Sequence, residues 1–289
     1  MARPVTARAS GGRRRSLSRS ILRWVIFIVV GGYLLLPLFA MLEFSTRQTP
    51  TAMAWKRTAL GWKGIAANPS VMSAIVLSLE LAALTVAVML FLLAPTMVWV
   101  HLRVPKMRRI VEFISLLPLT IPAIVIVVGL APVYRKLMPV IGQSPLVLTF
   151  IYVILVLPYA YRSIDASLRS IDIETLAQAA RGLGASWLQV FLRVVVPSIR
   201  AGLLSAAVLS IALVLGEFTI SSLLVYDTLQ VIVNQVGQDN AQVAVAVSLA
   251  ALLFGFVLLF IVSTVGAGRR RAARATAIEA GLEEGDLYE

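Results

Sequence analysis

The sequence predicts an all-α membrane protein of six transmembrane helices, and three observations predict it. The chain is 59% hydrophobic and only 14% charged, with mean hydropathy +0.90, whereas a soluble domain carries roughly a quarter of its residues as charges. Six apolar runs, at about 21–42, 73–97, 110–131, 144–161, 201–225 and 241–265, approach the ~20 residues that a spanning helix needs. The basic residues alternate in density between successive connections. No linker divides the 289 residues, so one helical bundle accounts for the length. With zero cysteines there is no disulfide framework, thiolate metal site or cysteine nucleophile.

The first run, 21–42, follows a basic segment, 1–20, and is longer than the h-region of a cleaved signal peptide, so it reads as a retained anchor. Arg13 to Arg15 flank this span and do not mark a nucleic-acid-binding arm. The fourth run is the weakest, short and interrupted by Pro158. Further prolines lie within spans at Pro37, Pro95, Pro118 and Pro122, where neighbouring helices can satisfy the freed carbonyls. The last run, from Ala241, is free of charge up to the closing segment 266–289.

Orientation follows from Lys and Arg, which are retained on the cytoplasmic side. With an inner N-terminus, the inner segments hold 7 (1–23), 4 (101–109), 5 (162–200) and 4 (266–289), and the outer ones 4 (43–72) and 2 (132–143). Twenty against six places both termini, 1–20 and 266–289, in the cytoplasm and turns the net charge of +12 into a statement about topology. Outside, Trp55, Lys56, Arg57, Trp62 and Lys63 suit the membrane interface or a binding protein. Asn234, Gln235, Gln238, Asp239 and Asn240 form either a cap over a translocation path or a solvated helix.

The longest inner connection, about 165–198, carries its own helical grammar. Asp172 is placed to cap a helix whose residues Ile173, Leu176, Ala177, Ala180 and Leu183 share one side, and Gly184 suits the left-handed position that ends it. Ser186 and Gln189 form a capping box for a second helix, through Trp187, Leu188, Phe191 and Val194 to a bend at Pro197. Ala179 and Ala180 would let a partner surface approach closely. Loops of this length in compact proteins are usually functional.

These residues carry a family resemblance. Gln178-Ala179-Ala180, Gly184, Val194, Val196 and Pro197 keep every spacing of the cytoplasmic signature of permease subunits of binding-protein-dependent ABC importers: E-A-A, three residues, G, nine residues, I, one residue, L and P. Gln178 stands where the family usually has glutamate. The resemblance implies a type I importer permease fold in a prokaryotic cell membrane, with a domain over 21–265 and a coupling helix docked on a separate ATPase. Gln178, Ala179, Ala180, Gly184, Ala185, Trp187 and Pro197 would form that docking surface. It also implies a second permease subunit, an ATP-binding subunit dimer and an extracytoplasmic binding protein as partners. ATP and magnesium would be bound by the ATPase, with no cofactor in this chain; the sequence has no G-x-x-x-x-G-K-[ST] phosphate loop. The G-E-F-T-I segment of span five and the Ser-Leu-Ala-Ala-Leu-Leu-Phe run of span six resemble the branch serving polyamines, ferric iron and aminoalkylphosphonates, with a polyamine as the expected cargo.

Polar residues within spans default to functional hypotheses. Glu80 and Glu217 lie deep in their apolar runs, and Glu112, near a span end, is placed to meet Arg108 and Arg109. Glu217, Thr219, Ser221 and Ser222 make one narrow, polar helix, a candidate translocation path, with Glu217 also able to act as a hydrogen-bonded structural group. No catalytic or metal-ligating set is expected: His101 is the single histidine, and H-E-x-x-H and G-x-S-x-G are both missing. A secondary transporter is the reading from another class, but it would require paired midplane carboxylates and preferably an internal repeat.

Overall fold

The computed structural model describes residues 11–47, 57–141 and 144–279, with side chains over 22–47, 57–136 and 144–261. Trp55, Lys56 and the chain ends 1–10 and 280–289 lie outside the described residues. Helices α1 (Gly11–Ser45), α2 (Leu60–Ala67), α3 (Pro69–Arg103), α4 (Arg108–Leu116), α5 (Ala123–Ile141) and α6 (Leu148–Arg169) form the first part of the chain. The second part holds α7 (Ile173–Gly182), α8 (Trp187–Gln189), α9 (Val196–Ser198), α10 (Arg200–Leu215), α11 (Thr219–Leu223), α12 (Leu229–Asp239) and α13 (Ala241–Glu279). No strand occurs among the described residues, apart from a single bridge between Arg47 and Arg57.

Four helices are long and apolar enough to cross a membrane unbroken: Leu22–Ser45, Pro69–Arg103, Pro145–Arg169 and Ala241–Ile261. The other two expected spans are bent. The run expected at 110–131 turns by 104° between α4 and α5. Pro122 holds the preceding Ile121 extended (φ −102°, ψ 119°), outside the helical region, so the helix cannot pass through it. The run expected at 201–225 is also not one helix. A 74° bend separates Trp187–Ser198 from α10, and α10 itself stops at Leu215, so Glu217, Thr219, Ser221 and Ser222 do not share a single helix with it.

The weakest run in the sequence is the most enclosed span in the bundle, with 56% of its apolar window buried. Helix α6 is the hub on which α3 and α10 pack. Leu148, Ile151, Tyr152, Val156 and Ile164 of α6 meet Leu81 and Met89 of α3 and Ala206 of α10 in the main core. An interior helix competes for space more than for lipid, which is why smaller and polar residues are tolerated there. Gly202 sets the α6 to α10 distance: a Cβ there would lie 2.4 Å from Ser167 Cβ and 2.9 Å from the Ser163 carbonyl, and the Ser163 hydroxyl donates to the Gly202 carbonyl (3.0 Å). By contrast, none of the α1 apolar window is buried. Its end is tied to the bundle through Trp62 Nε1, which donates to Ser45 Oγ (3.2 Å).

Helix α3 is longer than a bilayer core requires: 35 residues, about 52 Å at 1.5 Å per residue, against a ~30 Å core. Its start is fixed by Asn68, whose Oδ1 accepts from the Ser70 and Val71 amides. The uncharged stretch from 81 to 100 is itself long enough to span. Glu80 lies just outside that stretch and is exposed, so it is not a carboxylate buried inside the bundle.

Candidate functional site

The connection after α6 folds into an elbow with two arms. The first arm, α7, begins at Asp172, whose carboxylate accepts from the Thr175 amide (3.2 Å) and the Thr175 hydroxyl (2.6 Å). Those two hydrogen bonds, the hydroxyl first, hold the Asp172 carboxyl below its usual range. The arm ends at Gly184, in the left-handed region at φ +88°, and the Ala185 amide returns to the Ala180 carbonyl (3.1 Å). The second arm starts with the expected capping box: Ser186 Oγ accepts from the Gln189 amide, and Gln189 Oε1 accepts from the Ser186 amide (2.7 Å). Val190–Val195 is then wound as a π-helix, with the Val196 amide bonded to the Phe191 carbonyl. Pro197 follows without an amide donor, and Ser198 Oγ takes up the Val194 carbonyl (2.6 Å).

The elbow is seated on the bundle by Ile173, Ala177, Val190 and Val195, all buried in the main core. Its outer side is apolar as well: Leu183 is 90% exposed, Leu188 67% and Leu192 53%. Gln178 and Ala179 point outward, whereas Ala180 is half-buried against the core. The common side expected for Ile173, Leu176, Ala177, Ala180 and Leu183 therefore divides: Leu176 and Leu183 face away from the bundle. Ala179 is the exposed small residue of α7, whereas Ala180 is half-buried.

Two arginines meet at Trp187. Arg103, the last residue of α3, lies 4.4 Å from the centroid of the Trp187 ring, and Arg181 lies 5.3 Å from the same centroid. Arg181 also donates through Nη1 to the Ala185 carbonyl (2.7 Å), closing the elbow across Gly184. A cleft between α3 and the elbow is lined by Leu102, Arg103, Glu174, Gln178, Arg181 and Trp187. Behind it, Arg108 pairs with Asp165 (2.9 Å) and not with Glu112 as the sequence suggested. Asp165 also receives Arg169 (2.7 Å) and lies 3.3 Å from His101 Nε2. His101 Nδ1 is 2.8 Å from the Met97 carbonyl. Sequence reading missed this cluster, because its members lie on three helices.

The second candidate region is the break after α10. Glu217 Oε1 accepts from the Ile220 amide (2.8 Å). Its Oε2 accepts from the Ser221 amide (3.2 Å), the Ser221 hydroxyl (3.1 Å) and Tyr152 OH (3.2 Å). The carboxylate thus caps α11 and fastens it to the buried Tyr152 of α6. The other ends of the break are closed too: Gln230 Nε2 donates to the Leu215 carbonyl (2.9 Å), and the Leu229 amide donates to Ser78 Oγ (2.8 Å). At the end of α11, Val225 takes a positive φ of 59°, the place usually given to glycine, while Tyr226 N returns to the Ser221 carbonyl (2.9 Å). Ser221 is fully buried, Glu217 and Ser222 are half-buried and Thr219 is exposed. The four candidate path residues are brought together, around a carboxylate whose oxygens are already occupied. Tyr152 was the residue missed, and nothing local in the sequence signals it. Asn234, Gln235, Gln238, Asp239 and Asn240 form the exposed side of α12 and its end. Leu229 and Ile232 bury the opposite side of that helix.

Comparison with known proteins adds the family. Individually curated proteins give no significant sequence match. Among solved structures, the crystal structure of a bacterial ABC transporter involved in the import of the acidic polysaccharide alginate is similar in fold, at TM-score 0.62 and 15% identity over 91% of this chain and 99% of that one. Residues 97–271 match the model of the binding-protein-dependent transport system inner membrane component. That match covers more than half of the sequence and takes in the elbow, the Glu217 break and the whole of the last span, so the chain belongs to this family and is a multi-pass, non-catalytic permease subunit of an ABC importer, with ATP hydrolysis in a separate subunit.

Proposed function

We propose that this permease forms one half of a translocation path, with a second permease subunit as the other half, and that its elbow at 173–198 docks on a dimer of ATP-binding subunits. The observation that carries the docking reading is the exposed apolar edge of Leu183, Leu188 and Leu192 on a loop otherwise well capped and seated. Exposed apolar patches rimmed by polar groups mark interaction surfaces. Gln178, Ala179, Gly184, Ala185 and Trp187 belong to that surface. Ala180 supports it from below, and Pro197 ends the second arm. Both termini are cytoplasmic in this reading, which the twenty-to-six distribution of basic residues supports.

In this reading ATP and magnesium reside in the ATPase subunits. Their closure moves the elbow as a rigid body, and the bundle passes between two discrete packings, one open inward and one open outward. An extracytoplasmic binding protein delivers the solute. Thr219 and Ser222, the less buried hydroxyls of the Glu217 break, line the path. Glu217 itself serves as a structural cap, because Tyr152, Ser221 and the Ile220 amide already occupy its oxygens.

The cargo is a small polyamine such as spermidine or putrescine, a choice supported by the resemblance of Gly216-Glu217-Phe218-Thr219-Ile220 to permeases of the polyamine, ferric iron and aminoalkylphosphonate branch. The test is to isolate the intact complex with its binding protein and identify the bound solute by mass spectrometry. A polyamine supports the proposal. A metal-loaded or phosphonate-loaded binding protein would reassign the cargo within the same architecture, and a chain that purifies with no ATPase would overturn the importer reading itself.

A further inference from the structure

The seat of the elbow on the bundle is apolar, and apolar contact is non-directional. Ile173, Ala177, Val190 and Val195 hold the elbow down without fixing which helix must follow when it moves. One contact does have direction. The Arg103 guanidinium lies 4.4 Å from the Trp187 ring centroid, a cation–π distance. Arg103 is the terminal residue of α3, and the chain leaves the helix immediately after it at Val104 (φ −138°). Arg103 shares its cleft with the Glu174 carboxylate as well as with Trp187, while Asp165 is paired with Arg108 and Arg169. His101 of α3, two residues before Arg103, lies 3.3 Å from Asp165, which Arg108 of α4 and Arg169 of α6 pair with. The contact therefore grips the end of α3, the helix packed on α6, α10 and α12.

The two arginines at Trp187 divide the work. Arg181 belongs to the first arm and reaches both the Trp187 ring, in the second arm, and the Ala185 carbonyl, so it fixes the angle of the elbow across Gly184. Arg103 comes from outside the elbow and fixes that rigid piece to α3.

We propose that Arg103 and Trp187 form the tie through which movement of the elbow is transmitted to α3, with Arg103 a positioning residue and not a part of the ATPase-docking surface. The inference rests on the reading of the elbow as that docking surface. The same tie would carry the response to a binding protein engaged on the outer side back to the ATPase.

The experiment uses the full complex in liposomes and measures ATP hydrolysis with and without the binding protein, purified with its native ligand. The variants are Arg103→Ala, Arg103→Gln, Arg103→Lys, Trp187→Leu and Gly184→Val, each normalised to permease inserted. Arg103→Ala and Arg103→Gln are expected to retain the ATPase through purification and to keep basal hydrolysis, while stimulation by the binding protein falls about fivefold, the lower end of ordinary coupling energies. Trp187→Leu, at a residue that also belongs to the docking surface, loses at least as much stimulation. Arg103→Lys keeps most of it, since a lysine cation also binds an aromatic face. Parent-like stimulation in Arg103→Ala and Trp187→Leu would overturn the tie. So would equal impairment of Arg103→Lys and Arg103→Ala, or loss of the ATPase from Arg103→Ala, which would make Arg103 a docking residue. Gly184→Val reports on the underlying reading: an ATPase that stays bound to it refutes docking at the elbow and takes the tie with it, whereas loss of the ATPase from Gly184→Val alone leaves the tie to be judged by the arginine variants.

Discussion

The elbow and the Glu217 break are both interruptions of helix, but they are closed in opposite ways. Each polar bond within the elbow spans five residues or fewer: Asp172 to Thr175, Arg181 to Ala185, Ser186 to Gln189. The break at Glu217 depends on Tyr152, Gln230 and Ser78, which lie 65, 15 and 151 positions from the groups they bond. A locally closed element can keep its shape while its surroundings shift, which suits a piece that is pushed as a rigid body. An element closed by distant partners holds its surroundings together. The first can be damaged without unfolding the bundle, and the second cannot.

The largest expected effect follows from emptying the second region. Glu217→Leu leaves the Ile220 and Ser221 amides without their side-chain acceptor and the Tyr152 hydroxyl with Ser221 Oγ alone, and should cost about 3 kcal/mol, at 1–3 kcal/mol for each buried group left unpaired. Assembled complex should fall sharply at an unchanged level of synthesis. Glu217→Gln keeps one acceptor oxygen and should fall less. Normal assembly with a specific loss of uptake in Glu217→Gln would show that the carboxylate acts on the cargo. Tyr152→Phe comes next: it removes one hydroxyl from the knot and should cost about 1 kcal/mol, seen as a lower unfolding temperature of the purified complex.

On the elbow the expectation changes in kind. Ser186→Ala removes the second-arm cap at a cost of about 1 kcal/mol, comparable in size, yet confined to the loop. Protease sensitivity around residues 184–189 should rise while the yield of inserted permease stays at the parent level. A bundle-wide loss of stability in Ser186→Ala would erase the distinction between the two regions. The smallest effect is a pH dependence. The Asp172 carboxyl is held below its usual range by the Thr175 hydroxyl and amide, so its support of α7 is complete above the ordinary carboxylate range and is lost only as pH falls through the depressed value. Amide exchange in the first turn of α7 should thus be flat near neutrality and rise only in acid.

The same contrast explains what could be read in the sequence. Asp172, Gly184, and the pair Ser186 and Gln189 announce the elbow because a cap or a left-handed turn needs residue types within one helical turn. The six apolar runs were equally legible from length and composition. The 104° bend at Ile121 was not, although Pro118 and Pro122 were visible, because prolines in spans are tolerated when neighbours satisfy the carbonyls. What decided the case was the extended conformation imposed on Ile121. Pro158 shows the other outcome, buried within an unbroken α6. Glu217 was marked by its charge, but its partner Tyr152 could be found only from the packing of α6 on the break. Leu183 and Ala180 were placed on the same side by periodicity, and the elbow turned one outward and the other inward once Gly184 ended α7.

The most direct test of the central claim, that the elbow is where an ATPase docks, is the amount of ATPase that co-purifies per inserted permease in the parent, Ala179→Trp and Gly184→Val. Ala179 is exposed, so a bulky residue there blocks approach without disturbing the core, whereas the half-buried Ala180 would confound the result. A Cβ at Gly184 would meet only open space, but the backbone there has a φ of +88°, so a β-branched residue strains the turn alone, at about 1–3 kcal/mol. The account predicts that both variants insert at parent levels and lose most of the bound ATPase. Parent-like ATPase retention in both, at normal insertion, would contradict it.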